Sequence, residues 1–322
     1  MNIVQIVRSA SPAPVRKIRP IHSIPFFVLH AVAIIGVFLV PFAWKWVALC
    51  FGMYTLRMFA VTGGYHRYFS HRTYKTSRAF QFFMALLAQS SAQKGALWWA
   101  ANHRHHHKFS DQEEDIHSPL HAGFWWSHAG WILSAENEKT HWELIGDFKK
   151  FPELVFLNRY PHLPATVLAL GLLAVGGAPA VMWGFFMSTV LLWHGTFTIN
   201  SLSHVFGSRR YTTTDTSRNN FWLALITLGE GWHNNHHTYQ SATNQGFFWY
   251  EIDVTYYALK ALSKVGIVWD LRKPPLELLE AKRIAKSGRA GVRDSMPMTA
   301  LDTQKKAPAV VIPESMPMTA RA

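Results

Sequence analysis

Two long apolar stretches dominate the chain and limit what it can become. Ile24 to Val61 is almost uninterrupted except around Pro41 to Lys45, and His162 to Ser203 repeats the pattern with Gly176-Gly177-Ala178-Pro179 as its break. A bilayer core takes about 20 helical residues per span. Each stretch therefore predicts a helical hairpin, with spans over 24–41 and 44–62 and then over 163–177 and 180–203, the third being short. Their Leu, Val, Ile, Phe and Ala runs carry no polar face, which argues against buried helices of a soluble enzyme. A third stretch, Phe80 to Ala101, contains Gln81, Gln89, Ser90, Ser91, Gln93 and Lys94. That is too polar to face lipid, and it predicts one buried or interfacial helix. The expected fold class is an all-α integral membrane protein, with four transmembrane helices in two hairpins beneath a helical cap.

Parity and charge then set the orientation. An even number of spans returns the chain to its starting side, so residues 62–161 and 204–322 share a side with the N-terminus. Residues 1–25 hold Arg8, Arg16, Lys17 and Arg19 with no acid, and the segment from Ala281 onward is again rich in Lys and Arg. These two ends carry most of the net charge of +13. Basic flanks of spanning helices face the cytoplasm, so a multi-pass protein with both termini and its cap cytoplasmic is expected, in the inner membrane if the cell is bacterial. Nucleic acid is not an expected partner, because the charge flanks apolar helices and no binding motif accompanies it. The expected division is a basic segment over 1–23, a membrane domain over 24–280 and a tail over 281–322. The tail is basic, lacks aromatics and repeats S-M-P-M-T-A at Ser295 and Ser315, a composition that predicts disorder. Cys50 is the single cysteine, which excludes disulfides and thiolate clusters. The first apolar run starts late and outlasts a signal h-region, so no cleavable signal is expected.

Histidine supplies the chemistry. Of 18 histidines, nine gather in three tight clusters and one isolated position: His66 and His71 in H-R-Y-F-S-H, His103, His106 and His107 in H-R-H-H-H, His204 ending N-S-L-S-H, and His233, His236 and His237 in H-N-N-H-H. Neutral imidazole is a good ligand for iron, copper, nickel and zinc. The i, i+3, i+4 spacing puts three imidazoles on one helical face, and two such clusters with a further pair imply more than one metal ion. All nine lie on the cytoplasmic side or at its boundary. Glu-x-x-His pairs of the carboxylate di-iron kind occur at Glu114–His117, Glu138–His141 and Glu230–His233, but they leave most clustered histidines unexplained. His105 points away from His103 on a helix and is excluded as a ligand. His22, His30, His121, His128, His141, His162 and His194 read as hydrogen-bonded structural residues, and His117 is left open. Asn200, one turn before His204, can hold a metal-bound water. Asp111, Glu113, Glu114, Asp115 and Glu230 are candidates for orienting ligand imidazoles through the second ring nitrogen.

From about Gly63 to Arg272 the chain resembles the membrane fatty-acid desaturases, specifically the acyl-CoA Δ9 (stearoyl-CoA type) branch. H-R-Y-F-S-H, N-H-R-H-H-H-K-F-S, F-W-W-S-H-A-G-W, N-S-L-S-H and G-E-G-W-H-N-N-H-H follow one another in family order. The resemblance implies two iron ions held by the nine histidines, with Asn200 contributing through water. It implies O2-dependent removal of two hydrogens from a saturated acyl chain, with acyl-CoA the first expected carrier, leaving a cis double bond at Δ9. It also places Gln93, Trp99 and Thr196 at the bend of a substrate tunnel. Two departures bear on the acyl carrier. Animal acyl-CoA enzymes carry an Arg where this chain has Ala101, and a basic pair after G-W where this chain continues Ile132-Leu133-Ser134-Ala135-Glu136. Acyl-lipid and acyl-ACP substrates therefore stay open beside acyl-CoA.

The electron source is not in the sequence, which has no Gly-x-Gly-x-x-Gly fingerprint, clustered cysteines or haem domain. A separate ferredoxin, rubredoxin or cytochrome-type donor is implied. A histidine-box hydroxylase of the same superfamily begins with the same hydrogen abstraction and is the nearest rival. A metal transporter would place its ligands midway along the spans, whereas these histidines sit outside them.

Overall fold

The computed structural model describes residues 16–284, and the chain is mostly helical. The first hairpin is built from α1 (Pro20–Gly36) and α2 (Trp44–Phe59). Helix α1 is 17 residues long, starts earlier than expected at Pro20, whose missing N–H costs nothing in the first turn, and stops at Gly36. Helix α2 runs on through a π-helical stretch, Ala60–Ser70, instead of ending at residue 62. Gly63-Gly64 lies in this wide turn, packed against Met84 of the next helix, and the extension lifts His66 beyond the apolar run.

The second apolar stretch is α7 (Leu163–Val181), a π-helical link (Met182–Met187) and α8 (Ser188–Ser201). Among the described residues, two continuous helices, Trp44–Ser70 and Leu163–Ser201, are long and apolar enough to cross a membrane by length and composition. The expected four spans are thus not four separate long helices. The second of the two reverses within itself, however. Gly177 has φ 65° and ψ −160°, and a Cβ built on Gly184 would stand 3.2 Å from Leu172 Cδ1. Residues 12 apart in a straight helix would be about 18 Å apart, so the chain folds back at Gly177. Trp46 packs on Gly176 and Met182 on Gly36, which brings the tips of both hairpins together. Phe38 and Val175, near those tips, are 83% and 91% exposed.

The stretch Phe80–Ala101 is not one helix. It divides into α3 (Arg78–Gln89) and α4 (Ala96–Phe109) around a turn in which Ala92 and Lys94 hold φ of 57° and 61°. Its polar residues mark the break: Gln89 Nε2 donates to Leu157 O at 2.7 Å, and the Ser90 and Ser91 hydroxyls turn back onto Leu87 and Ala88 carbonyls. Arg57 of α2, fully buried, donates to Ser90 O (3.2 Å), Thr189 Oγ1 (2.7 Å) and Ser188 Oγ. It ties α2, the turn and α8 together without a carboxylate.

Shorter elements form the cap: α5 (Phe124–His128), α6 (Pro152–Arg159), α9 (Phe221–Ile226), α10 (His233–Thr238) and α11 (Val254–Lys264). Two of their starts, those of α9 and α11, are fixed by side chains. Asn220 accepts from the Trp222 and Leu223 amides, and Asp253 from the Tyr256 amide. A two-stranded antiparallel ribbon, Lys75–Thr76 with Val268–Trp269, closes the cap. Its core, with Tyr65, Phe69, Leu97, Ile145, Phe148 and Leu154, lies behind the second histidine cluster. Tyr211 pairs with Arg283 and the Ile284 amide bonds Arg210 O, so residues 281–284 join the cap. The rest of the expected tail, and residues 1–15, lie outside the described residues.

Candidate metal centre

The nine clustered histidines meet in two groups. One is His66, His71, His103, His107 and His236, and the other is His106, His204, His233 and His237; within each, the ligand atoms lie within 4.8 Å of one another. The expectation that i, i+3, i+4 would direct three imidazoles to one group is corrected. Helix α4 sends His103 and His107 to the first group and His106 to the second. Helix α10 sends His233 and His237 to the second and His236 to the first. Residues i and i+4 are about 40° apart around a helix, whereas i+3 lies about 60° to the other side, so H-x-x-H-H serves two neighbouring centres.

Carboxylates fix which nitrogen faces inward. Asp111 meets His204 Nδ1 and Asp115 meets His106 Nδ1, each at 2.9 Å, while Glu230 meets His66 Nδ1. An acceptor at Nδ1 requires Nδ1–H, which leaves the Nε2 lone pair directed into the group. Three of the five acids read from the sequence take this position. Glu113 is exposed, and Glu114 offers only its carbonyl, to His105 Nε2 at 3.0 Å. Sequence reasoning missed a fourth, Asp215, at 2.6 Å from His237 Nδ1. It lies among polar loop residues at no helical spacing from a histidine, and no signal in the chain marks it. His105 faces away from both groups, beside Phe109 and His141.

The donor set fits metal ions. In the first group the contacts run His71–His103–His107–His236–His66, all through Nε2, at 2.9 to 3.1 Å. An Nε2 carries at most one proton and cannot serve two neighbours, and His66 Nε2 carries none if its Nδ1 is protonated; a cation satisfies what hydrogen bonds cannot. His237 Nε2 is buried with no partner among the described residues. Electrostatics agree. Burial, reinforced by neighbouring imidazoles, drives the pKa of His71, His103, His107, His233 and His236 well below the usual histidine value, so all are neutral imidazoles able to offer a lone pair to a metal. For Asp111, Asp115 and Asp215 burial acts upward but is outweighed by the paired histidines and hydrogen bonds, and each is held below the usual carboxylate range. The two groups contain no Glu, so the Glu-x-x-His alternative is not what the fold assembles: Glu230 serves His66, not His233. His117 forms a third set with His106 and Asp115.

A cavity of about 220 Å³ leads to this centre. Gln93, Trp99 and Thr196 all line it, with Asn200, His103 and His117, and Gln93 Nε2 donates to Thr196 Oγ1 at 3.0 Å. A smaller cavity shares Trp99, His103, Thr196 and Asn200 and reaches His66 and His233. Of the scattered histidines, His30, His194 and His128 form a hydrogen-bonded string at 3.1 and 2.9 Å, as structural residues do. His22 and His162 line the larger cavity, which the sequence did not suggest.

The family model described as fatty acid desaturase matches residues 43–264. The chain belongs to that family. It is 36% identical over 266 residues to an sn-1 stearoyl-lipid 9-desaturase of Synechocystis sp., covering 80% of this chain and 82% of that protein. It is 35% identical over 273 residues to an icosanoyl-CoA 5-desaturase of Limnanthes douglasii, covering 83% and 75%. A palmitoyl-monogalactosyldiacylglycerol delta-7 desaturase of Arabidopsis thaliana is 34% identical over 250 residues, covering 76% and 67%. This desaturase is therefore a membrane-associated, O2-dependent oxidoreductase acting on fatty acyl chains, of an iron-using family.

Proposed function

We propose that the desaturase introduces a cis double bond at the 9 position of a saturated acyl chain, using O2 and two electrons from a separate protein. The observation that carries this is the junction of the apolar cavity with the two histidine groups. We assign two iron ions to those groups, one among His66, His71, His103, His107 and His236, and one among His106, His204, His233 and His237, with Asn200 assisting the second through water. Iron bound there supplies activation of O2 for hydrogen removal from unactivated methylenes.

The protein's own contribution is positional. Glu230, Asp111, Asp115 and Asp215 hold the imidazoles in one tautomer, so the inward lone pairs are set before metal binds. The Gln93–Thr196 bond and the Trp99 ring form the wall against which the acyl chain bends toward the centre, and Trp98, Trp131 and Trp193 keep the cavity dry. The resemblance to stearoyl-type enzymes and the names of several relatives support the 9 position; a 5-desaturase at similar identity is the competing regiochemistry. Acyl-CoA is the first candidate carrier, with acyl-lipid beside it. We also propose the membrane arrangement: both hairpins span from the cytoplasmic side, where the cap, the described ends and an electron donor of ferredoxin, rubredoxin or cytochrome type meet. Lipid analysis of cells expressing the protein, with the double bond located by mass spectrometry, tests the reaction. A hydroxylated chain without an alkene refutes it.

A further inference from the structure

Among the described residues, nothing covers the outer face of helix α9. Phe221, Trp222, Leu225 and Ile226 are exposed, Trp222 to 71%, while Leu223 and Ala224 on the opposite side are buried. From Phe221 to Gly229 the sequence, F-W-L-A-L-I-T-L-G, holds no charged side chain. A hydrogen bond fixes the height of this face. Tyr54 Oη, from α2, donates to the carbonyl of Ile226 at 2.5 Å. Tyr54 lies well below Val61, where the apolar run of α2 ends, by about 10 Å along the helix axis. Its side chain leans toward the N-terminus of α2, further from the cap.

The segment goes down and comes back. Asn220, at the start of α9, is held at cap level: its amide donates to Gly231 O at 2.8 Å, and the neighbouring Asn219 bonds Asn235 of α10 at 2.7 Å. The six residues of α9 then descend about 9 Å. Leu228 and Gly229 reverse the chain with φ of 56° and 127°. Leu228 packs among Met58 of α2, Val61 of its extension, and Leu192 and Phe197 of α8. Glu230 follows at once and meets His66, so the return ends at the metal centre. Much of the segment's backbone is satisfied internally. Asn220 Oδ1 accepts from the Trp222 and Leu223 amides, and the Leu223 carbonyl accepts from the Thr227 amide and hydroxyl. The Ala224 carbonyl accepts from the Gly229 amide, and the Leu228 carbonyl from the Thr255 amide. Irregular backbone at membrane depth is tolerated only where its polar groups find such partners.

We propose that α9 is a re-entrant element seated in the hydrocarbon of the cytoplasmic leaflet, with Phe221, Trp222, Leu225 and Ile226 as its lipid-facing surface. The occupant is lipid acyl chain rather than protein for two reasons. The face reaches the height of Phe51 and Leu56, which are also uncovered on α2, and it offers a soluble partner no charge. Trp222 stands nearer the cap than Ile226, as an aromatic ring at the membrane–water boundary does. Burial of this face in lipid sets the depth of Glu230 and His233, which follow α9 directly. This rests on the membrane arrangement proposed above, in which α2 crosses the bilayer.

The test uses the full-length protein in phosphatidylcholine vesicles, carrying Cys50→Ser and one new cysteine at a time: Trp222→Cys, Ile226→Cys, Phe51→Cys on α2, or Glu113→Cys at an exposed cap position. A nitroxide on each cysteine reports collisions with oxygen, which enters hydrocarbon, and with a polar nickel chelate, which does not. The labels on α9 are expected to match the label at Phe51, with nickel collisions at least about tenfold below those at Glu113. Nickel collisions equal to those at Glu113 put α9 in water, and low collisions with both reagents put protein against it; either result overturns the inference. Nickel access at Phe51 as high as at Glu113 refutes the membrane arrangement and the inference with it, a failure distinct from the other two. Trp222→Phe, with Cys50 intact, gives a second reading free of labels. It should remove fluorescence that brominated phosphatidylcholine quenches and aqueous iodide does not. Removal of an iodide-quenched component overturns the inference.

Discussion

Asp215 offers the most direct test of the metal centre, because nothing but the fold connects it to a histidine. Its carboxylate is buried, meets His237 Nδ1 at 2.6 Å, and is itself held by Thr213 Oγ1 (2.9 Å) and by the Ser217 amide (3.0 Å) and hydroxyl (2.5 Å). Asp215→Ala leaves a buried Nδ1–H without an acceptor and frees the ring to take the other tautomer, which puts a proton where the lone pair must be. A hydrogen bond to a charged group is worth about 1.5–3 kcal/mol. Outer partners of metal-bound histidines typically contribute about 10–100-fold in metal affinity, or about 1.4–2.8 kcal/mol, so the two scales agree. Asp215→Asn keeps a carbonyl acceptor without the charge and should lie between. Iron retained against a graded chelator series, per membrane-inserted chain, is the assay, with desaturation measured in parallel. Glu113→Ala, at an exposed acid with no histidine partner, is the comparison. Wild-type iron retention by Asp215→Ala, or an equal loss in Glu113→Ala, refutes the reasoning.

The remaining predictions follow from the same geometry. His106→Ala should lose iron and turnover, whereas His105→Ala should keep both and cost about 1 kcal/mol of stability; equal inactivation of the two would break the ligand assignment in α4. Native protein from iron-replete cells should carry two irons per chain by elemental analysis, and one metal per chain would contradict the assignment. The metal-free protein should be acid-labile. His71, His103, His107, His233 and His236 stay neutral when folded but protonate near pH 6.5 when unfolded, so their contribution is present above about pH 6.5 and is lost as pH falls, by up to roughly 1.4 kcal/mol per pH unit for each. Denaturant midpoints that do not fall between pH 7 and pH 5 would contradict it. Arg57→Leu should lower stability by about 2–4 kcal/mol, seen as a lower thermal midpoint in detergent; an unchanged midpoint would show that the Arg57 clamp is not needed.

The apolar pattern marked where helices lie better than where they stop. Both hairpins were legible because Pro41 and Gly177 interrupt otherwise continuous hydrophobicity, and composition carries that signal directly. The extension of α2 to Ser70 was not legible: hydropathy ends near Val61, and the π-helical continuation depends on Gly63-Gly64 packing against α3, a tertiary contact. The break in Phe80–Ala101 shows in the sequence only as polar residues, which burial of one helix would equally explain. It is set instead by two non-glycine residues at positive φ, Ala92 and Lys94, which propensity does not predict.

The site shows the same division between local pattern and assembly. Spacing alone identified the histidines, because helical geometry is local, but which histidines share a centre depends on two helices facing each other. Helix α4 gives i and i+4 to the first group and i+3 to the second, and α10 does the reverse. The two groups are thus related by an approximate exchange of the two helices. The remaining members follow the same exchange, since each comes from the end of a long apolar helix. The α2 extension brings His66 and His71 to the first group, and the end of α8 brings His204 to the second. The second group therefore has one imidazole fewer. Asn200, four residues before His204, lines both cavities beside His103, and in the smaller one also beside His233 of the second group. An amide at that position can hold a water without closing the centre to O2 and substrate, which is why the asymmetry supports a reactive centre more than a structural one.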